Sequence, residues 1–183
     1  MKVYRLLFLS SVLFLSCSAV ASAEPGTSDR EKEISAQIIN MKNPFTELAS
    51  LSEAEAKAGF TMKQLKYIPS YYDPSPKFYV LDDGVMIQVV YVEPMDQKRI
   101  TYRASKKLST SEMNGDYSEY PDESRLKIGD LNLQVKGSDG VIYTAEWNAD
   151  GINYCLLVDD GMEEIELREL FLGAQEEVLD SKP

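Results

Sequence analysis

The 183-residue chain contains no histidine. That absence removes Ser-His-Asp and Cys-His nucleophile systems in their usual form. It also removes histidine-ligated zinc and iron sites and the side chain best suited to proton transfer near neutral pH. Cysteine is nearly as scarce, with only Cys17 and Cys155. If Cys17 leaves with an export leader, no intrachain disulfide can form, so a disulfide-stapled scaffold is excluded. Cys155 lies in Ile152-Asn153-Tyr154-Cys155-Leu156-Leu157, an apolar strand-like run with no cation close in sequence. It reads there as a small buried hydrophobe rather than a reactive thiol.

Long apolar runs are equally few. Leu6 to Leu15, broken only by Ser10 and Ser11, is too short for a stable membrane span of about 20 residues. Lys2 and Arg5 precede it, and Ala21-Ser22-Ala23 followed by Glu24-Pro25 supplies a small-residue cleavage site. Residues 1–23 thus have the layout of a secretory signal peptide, and the mature protein is expected outside the cytoplasm, secreted or periplasmic. Phe14-Leu15-Ser16-Cys17 offers a second reading, a lipoprotein box that would leave a lipid anchor on Cys17. Leu15 fits that box poorly, and the Ala21-Ser22-Ala23 site is the cleaner match.

Without residues 1–23, 160 residues remain, enough for one domain with a substantial core. Losing Lys2 and Arg5 leaves 17 basic residues against 30 acidic ones, a net charge of −13. Such a surface repels nucleic-acid phosphates and anionic headgroups, so neither nucleic acid nor an anionic membrane surface is expected as a partner.

Residues 24–42 read as a polar linker with a short helical turn near Glu33 to Met41, ended by Asn43-Pro44. Residues 43–173 read as one domain and 174–183 as a polar tail. Ser52 with Glu55 forms a capping-box pattern for a helix over Glu53 to Ala58, stopped by Gly59. From Lys77 the period changes to that of strands. Phe78 to Leu81 meets the hairpin signal Asp82-Asp83-Gly84, and Val85 to Val92, apolar on nearly both faces, suits a central strand. Arg99 to Arg103 alternates, while residues 104–122 show no period and predict a long loop. Leu126 to Ile128, Leu131 to Val135, Val141 to Trp147 and Ile152 to Val158, joined by Gly-containing turns, predict further antiparallel strands. Asp160 is placed to cap a last helix over Met162 to Leu172. The order predicts an α+β fold: an antiparallel sheet of two meanders, with a short N-terminal helix and a C-terminal helix packed on one face.

Asn43-Pro44-Phe45, Leu51-Ser52-Glu53-Ala54 through Ala58-Gly59-Phe60, Met86 to Tyr91, Ile100 to Arg103, Gly115-Asp116-Tyr117, Leu133 to Gly137, Trp147 and Tyr154 follow a familiar order. Over about residues 43–172 the chain resembles a bacterial extracytoplasmic family, a domain of unknown function. That family is similar to the outer domain of membrane-anchored anti-sigma-factor-like regulators, and it also occurs as small secreted proteins or lipoproteins. The resemblance implies a binding or sensory role and carries over no catalytic or binding residue. The transmembrane and cytoplasmic parts of the regulators have no counterpart in the chain, so the resemblance does not extend to a direct sigma-factor role.

Three constellations bear on chemistry. Glu112, Asn114, Asp116, Ser118 and Glu123 fall at positions 1, 3, 5, 7 and 12 of a calcium-loop spacing. Tyr117 stands where that loop needs glycine, and Pro121 intervenes, so a solvated loop is the favoured reading. Asp82-Asp83 and Asp159-Asp160 read as turn and capping residues rather than a glycosidase pair. Of the aromatics Tyr71, Tyr72, Tyr79, Tyr91, Tyr102, Tyr143, Trp147 and Tyr154, most fall at strand spacing and read as sheet packing. Tyr71 and Tyr72, among prolines, are expected to be exposed. No catalytic, cofactor-binding or metal-ligating residue is therefore nominated, and no cofactor is expected. The expected function is a non-enzymatic binding or sensory domain of the cell envelope, acting on a protein or peptide through a sheet face or edge. A carboxylate-based hydrolase of envelope glycans and a structural envelope protein are the alternatives.

Overall fold

The computed structural model describes residues 43–174. The leader, the Cys17 anchor, the 24–42 linker with its helical turn and all but the first residue of the tail lie outside the described residues.

The chain forms β1 (Phe45–Leu48), α1 (Leu51–Ala58), β2 (Lys77–Leu81), β3 (Met86–Val92), β4 (Arg99–Ser105), α2 (Thr110–Asn114), β5 (Asp122–Ile128), β6 (Leu131–Ser138), β7 (Val141–Ala149), β8 (Ile152–Met162) and α3 (Glu164–Leu172). The strands make one eight-stranded antiparallel sheet in the order β1-β2-β3-β4-β8-β7-β6-β5. Short connections join β2 to β3, β3 to β4 and the successive strands β5 to β8, β1 reaches β2 only through α1 and residues 59–76, and the long-range pairing of β4 with β8, Tyr102 opposite Leu156, unites the two halves. The architecture is α+β, mostly sheet.

Period-2 alternation sorts the side chains between two faces. Val80, Ile87, Val89, Ile100, Tyr102, Leu133, Trp147 and Leu156 join one buried cluster, which also takes in Ala54 of α1 and Leu167 and Leu170 of α3. Each large side chain so buried stabilises the fold by roughly 1.5–3 kcal/mol. A smaller cluster of Met86, Met113 and Cys155 fills part of the other side, beneath α2.

Several local expectations are corrected. Helix α1 begins two residues early, because Ser50 and not Ser52 is the cap and accepts from the Glu53 amide at 3.2 Å. Two overlapping Ser-x-x-Glu patterns compete there, and the first wins. Glu55 is thereby left free to accept from the Met62 amide at 2.9 Å. The hairpin signalled by Asp82-Asp83-Gly84 is present, β2 pairing antiparallel with β3, and its turn is a 3-10 turn with Asp82 and Asp83 both at positive φ, 37° and 50°.

The 104–122 stretch is not a featureless loop. It contributes the end of β4, helix α2 capped by a Ser109–Glu112 box, and the first residue of β5. Strand β8 runs on to Met162, so Asp160 is a strand residue and caps nothing. Glu163 caps α3 instead, with Glu166 as the reciprocal partner. The register between β7 and β8 shifts between Ile142 and Thr144, which lets β8 carry extra residues past Leu157. Strand β1, unexpected from the sequence, adds an edge against β2.

Candidate ligand cleft

Residues 61–76 connect α1 to β2 without regular structure. Pro69, Pro74 and Pro76 deny the segment backbone donors and helical geometry, so its polar groups need partners elsewhere. They find them on the sheet and helices, and the segment becomes a fixed strap. The Lys63 amide donates to the Tyr154 hydroxyl at 3.2 Å, while the Tyr102 hydroxyl donates to the Lys63 carbonyl at 2.8 Å. The Lys66 amide donates to the Leu170 carbonyl in the last turn of α3 at 2.7 Å, and the Asp73 amide to the Val92 carbonyl at 2.9 Å.

The two phenols that hold Lys63 belong to an aromatic stack. Tyr102 and Tyr154 lie with ring centroids 5.9 Å apart, Trp147 stacks on Tyr154 at 5.2 Å, and Phe171 meets Trp147 edge-on at 5.1 Å. Burial pushes the Tyr102 hydroxyl far above its ordinary pKa, so it remains a donor at any physiological pH.

Under the strap, between it and β2–β4, lies a cleft of about 550 Å³, within the usual range of small-molecule sites. Leu65, Ile68, Phe78 and Val89 make its walls apolar, and Tyr91 and Tyr102 add hydroxyls. Its charged lining residues are Lys63 and Lys66, with no carboxylate. Burial raises the Tyr91 pKa as well, keeping a neutral O–H in the cleft.

A second, open hollow of about 650 Å³ lies over β5–β7 on the other face, lined by Arg125, Gln134, Asn148 and Asn153. Its one carboxylate, Glu146, accepts from the Asn114 amide at 2.6 Å, so it faces no second acid there. Neither of these two hollows is lined by two acids, whereas a smaller one of about 300 Å³ has both Asp116 and Asp159 in its lining.

The calcium-spaced residues are engaged with separate partners rather than converging. Glu112 accepts from Ser109, Asp116 from the Tyr120 hydroxyl at 2.5 Å and the Ser118 amide at 2.9 Å, and Glu123 pairs with Lys136 at 3.2 Å. Among the described residues, no group of three His, Cys, Asp or Glu is placed to hold a metal ion. Asp159 and Asp160 pair with Arg99 and Lys98. Cys155 is buried, and burial followed by the nearby Glu146 pushes its thiol up to about 12. Such a thiol is protonated at neutral pH.

The aromatics expected as packing divide. Tyr91 and Tyr102 reach the cleft, Tyr79 meets Phe45 on the opposite face at 6.5 Å, and Tyr143 stacks on Tyr120. Tyr71 is exposed as expected, but Tyr72 is buried, a correction: its amide donates to the Pro69 carbonyl in the strap's own turn. The cleft lysines and Leu65, Ile68 and Phe78 were not singled out in the sequence. Their only signal is the apolar Tyr67-Ile68 pair within a proline-flanked segment. Among the described residues, no helix is long and apolar enough to cross a membrane. No family model, no curated protein and no solved structure matches the chain.

Proposed function

We propose that the chain is an exported, non-enzymatic binding or sensory domain of the cell envelope, with the strap-covered cleft as its ligand site. The reading takes the sheet as two meanders joined at β4–β8, with α1 and α3 on the face that carries the cleft. The observation that supports it most is the cleft itself: a hollow of about 550 Å³ with apolar walls, under a segment held at Lys63, Lys66 and Asp73. Preformed, mostly apolar hollows with a few placed polar groups are what small-ligand sites are made of. The leader-like residues 1–23 and the resemblance to extracytoplasmic sensory domains support the location. Mass measurement of the mature N-terminus distinguishes a chain starting at Glu24 from one acylated on Cys17.

The sheet edges serve less well for the peptide partner expected from the sequence. Strand β1 is four residues long. Strand β5 carries Asp122, Glu123, Arg125 and Lys127, and Arg168 donates to its Lys127 carbonyl at 3.1 Å. Short or charged edges with covered carbonyls resist strand addition.

Titration with an uncharged apolar fluorophore, N-phenyl-1-naphthylamine, tests the reading. Saturable binding is expected, and Leu65→Trp, which fills the cleft from the half-buried strap, abolishes it without changing the circular dichroism. Binding that never saturates, or is the same in Leu65→Trp, refutes the cleft as the site.

A further inference from the structure

The charge of the cleft runs against the charge of the molecule. The chain has 30 acidic and 19 basic residues, yet the cleft lining holds two lysines and no acid. Lys63 extends from the strap and is paired with Asp150 at 2.7 Å, with more than half of its side chain exposed. Lys66, also exposed, makes no ion pair among the described residues. Both cations thus stand at the solvent side of a hollow whose walls are Leu65, Ile68, Phe78 and Val89. The Tyr91 hydroxyl has no hydrogen-bond partner among the described residues, which leaves a neutral donor in the same cleft.

An apolar body without a charge would leave these donors unused. A cationic amphiphile would meet the like charge of Lys66, which has no counter-ion among the described residues, beside an apolar wall. A carboxylate head resolves both, accepting from an ammonium group at the rim while its chain takes the apolar walls out of water. Fields from a cationic cleft in an acidic surface also concentrate anions at its mouth. Resting on the reading that this cleft is the ligand site, we infer that it takes a single-chain amphiphile bearing one carboxylate, such as a free fatty acid. The volume suits a drug-sized molecule or one acyl chain.

Displacement of N-phenyl-1-naphthylamine from the chain, in the form isolated from its native envelope, tests the inference. The competitors are dodecanoate, dodecanol, dodecyltrimethylammonium and a single-chain lysophospholipid, each below its aggregation threshold. Dodecanoate is expected to displace the fluorophore at a concentration at least tenfold lower than dodecanol. The cation is expected to be weaker than either. In the double variant Lys63→Met/Lys66→Met, the preference for dodecanoate collapses towards unity while dodecanol displaces as before. Equal displacement by dodecanoate and dodecanol, or a preference that survives in the double variant, overturns the inference and leaves the cleft reading standing. A lysophospholipid that outcompetes dodecanoate overturns the free carboxylate in favour of a phosphate head. If the fluorophore itself never binds, the cleft reading fails first.

Discussion

Arg103 shows how much a single residue can hold in this protein. It lies on β4, opposite Gln88 of β3 and Cys155 of β8. Its Nε donates to the Gln88 side-chain oxygen at 2.8 Å, and one Nη donates to the Met113 and Asn114 carbonyls, each at 2.5 Å. The guanidinium therefore ends α2, satisfying carbonyls that a five-residue helix cannot satisfy itself. Replacing it with methionine keeps the apolar stem but strands those acceptors. Arg103→Met is expected to destabilise the fold by about 3 kcal/mol, read as a lower urea midpoint. A midpoint within error of the unmodified chain refutes the clamp. Cys155, its neighbour across the sheet, should be inert. With its thiol pushed up to about 12, iodoacetamide at pH 8 should leave the native chain unlabelled and modify it only in denaturant. Stoichiometric labelling of the native state would contradict the burial. The burial of Cys155 was legible from the apolar run around it, but the role of Arg103 was not, because alternation marks Arg103 as solvent-facing and only the packing of α2 covers it.

Elements were legible where local chemistry decides them. Strand β3, with Ile87, Val89 and Val90, and the turns around Gly140 and Gly151 follow from β-branched content and left-handed glycines. Helix α2 was legible in principle: Ser109-Thr110-Ser111-Glu112 is a capping box, and Gly115 at φ 67° is its left-handed stop. Its five residues are too few to show a period, so the surrounding polar sequence hid it. Ser109→Ala should cost about 1 kcal/mol, and urea unfolding measures it. Where two caps compete, as at Ser50 and Ser52, sequence cannot choose. At the other end of α1, the φ of +99° at Gly84 lets the turn after β2 lie against the last turn of the helix, where a Cβ would meet Lys57 and come within 2.8 Å of the Ala58 Cα. Gly84→Ala is expected to be destabilising by more than 2 kcal/mol, since both strain and collision act on backbone. A variant as stable as the original would refute that close approach.

At the scale of the whole molecule, charge sets the response to pH and salt. The side chain of Ser109 donates to Glu112 and holds its carboxyl below the usual range. At Asp116 burial pushes the carboxyl up, but bonds from Tyr120 and Ser118 outweigh it and hold it low. A carboxyl depressed in the folded state contributes stability that is present above its unfolded pKa. That stability is lost as pH falls through the folded value. From about pH 4.5 downward the urea midpoint should therefore fall, and Asp116→Asn should fall less steeply. At pH 7 the net charge of −11 works in the opposite sense. Added sodium chloride screens self-repulsion and should raise the midpoint there. A midpoint that drops with salt at pH 7 would mean that ion pairs such as Lys63–Asp150 outweigh the net repulsion.

Composition alone determined that no imidazole is present, which leaves the chain without a histidine-based triad or a histidine-ligated metal site. Alternation and turn glycines likewise determined that its second half is antiparallel sheet, because those signals act between residues a few positions apart. The pairing of β4 with β8, the burial of Arg103 and the cleft were decided only by tertiary structure. Each joins groups far apart in sequence, as when the Tyr102 and Tyr154 hydroxyls grip the two backbone groups of Lys63. Such contacts exist only after the sheet has closed its loops, and no local period encodes them.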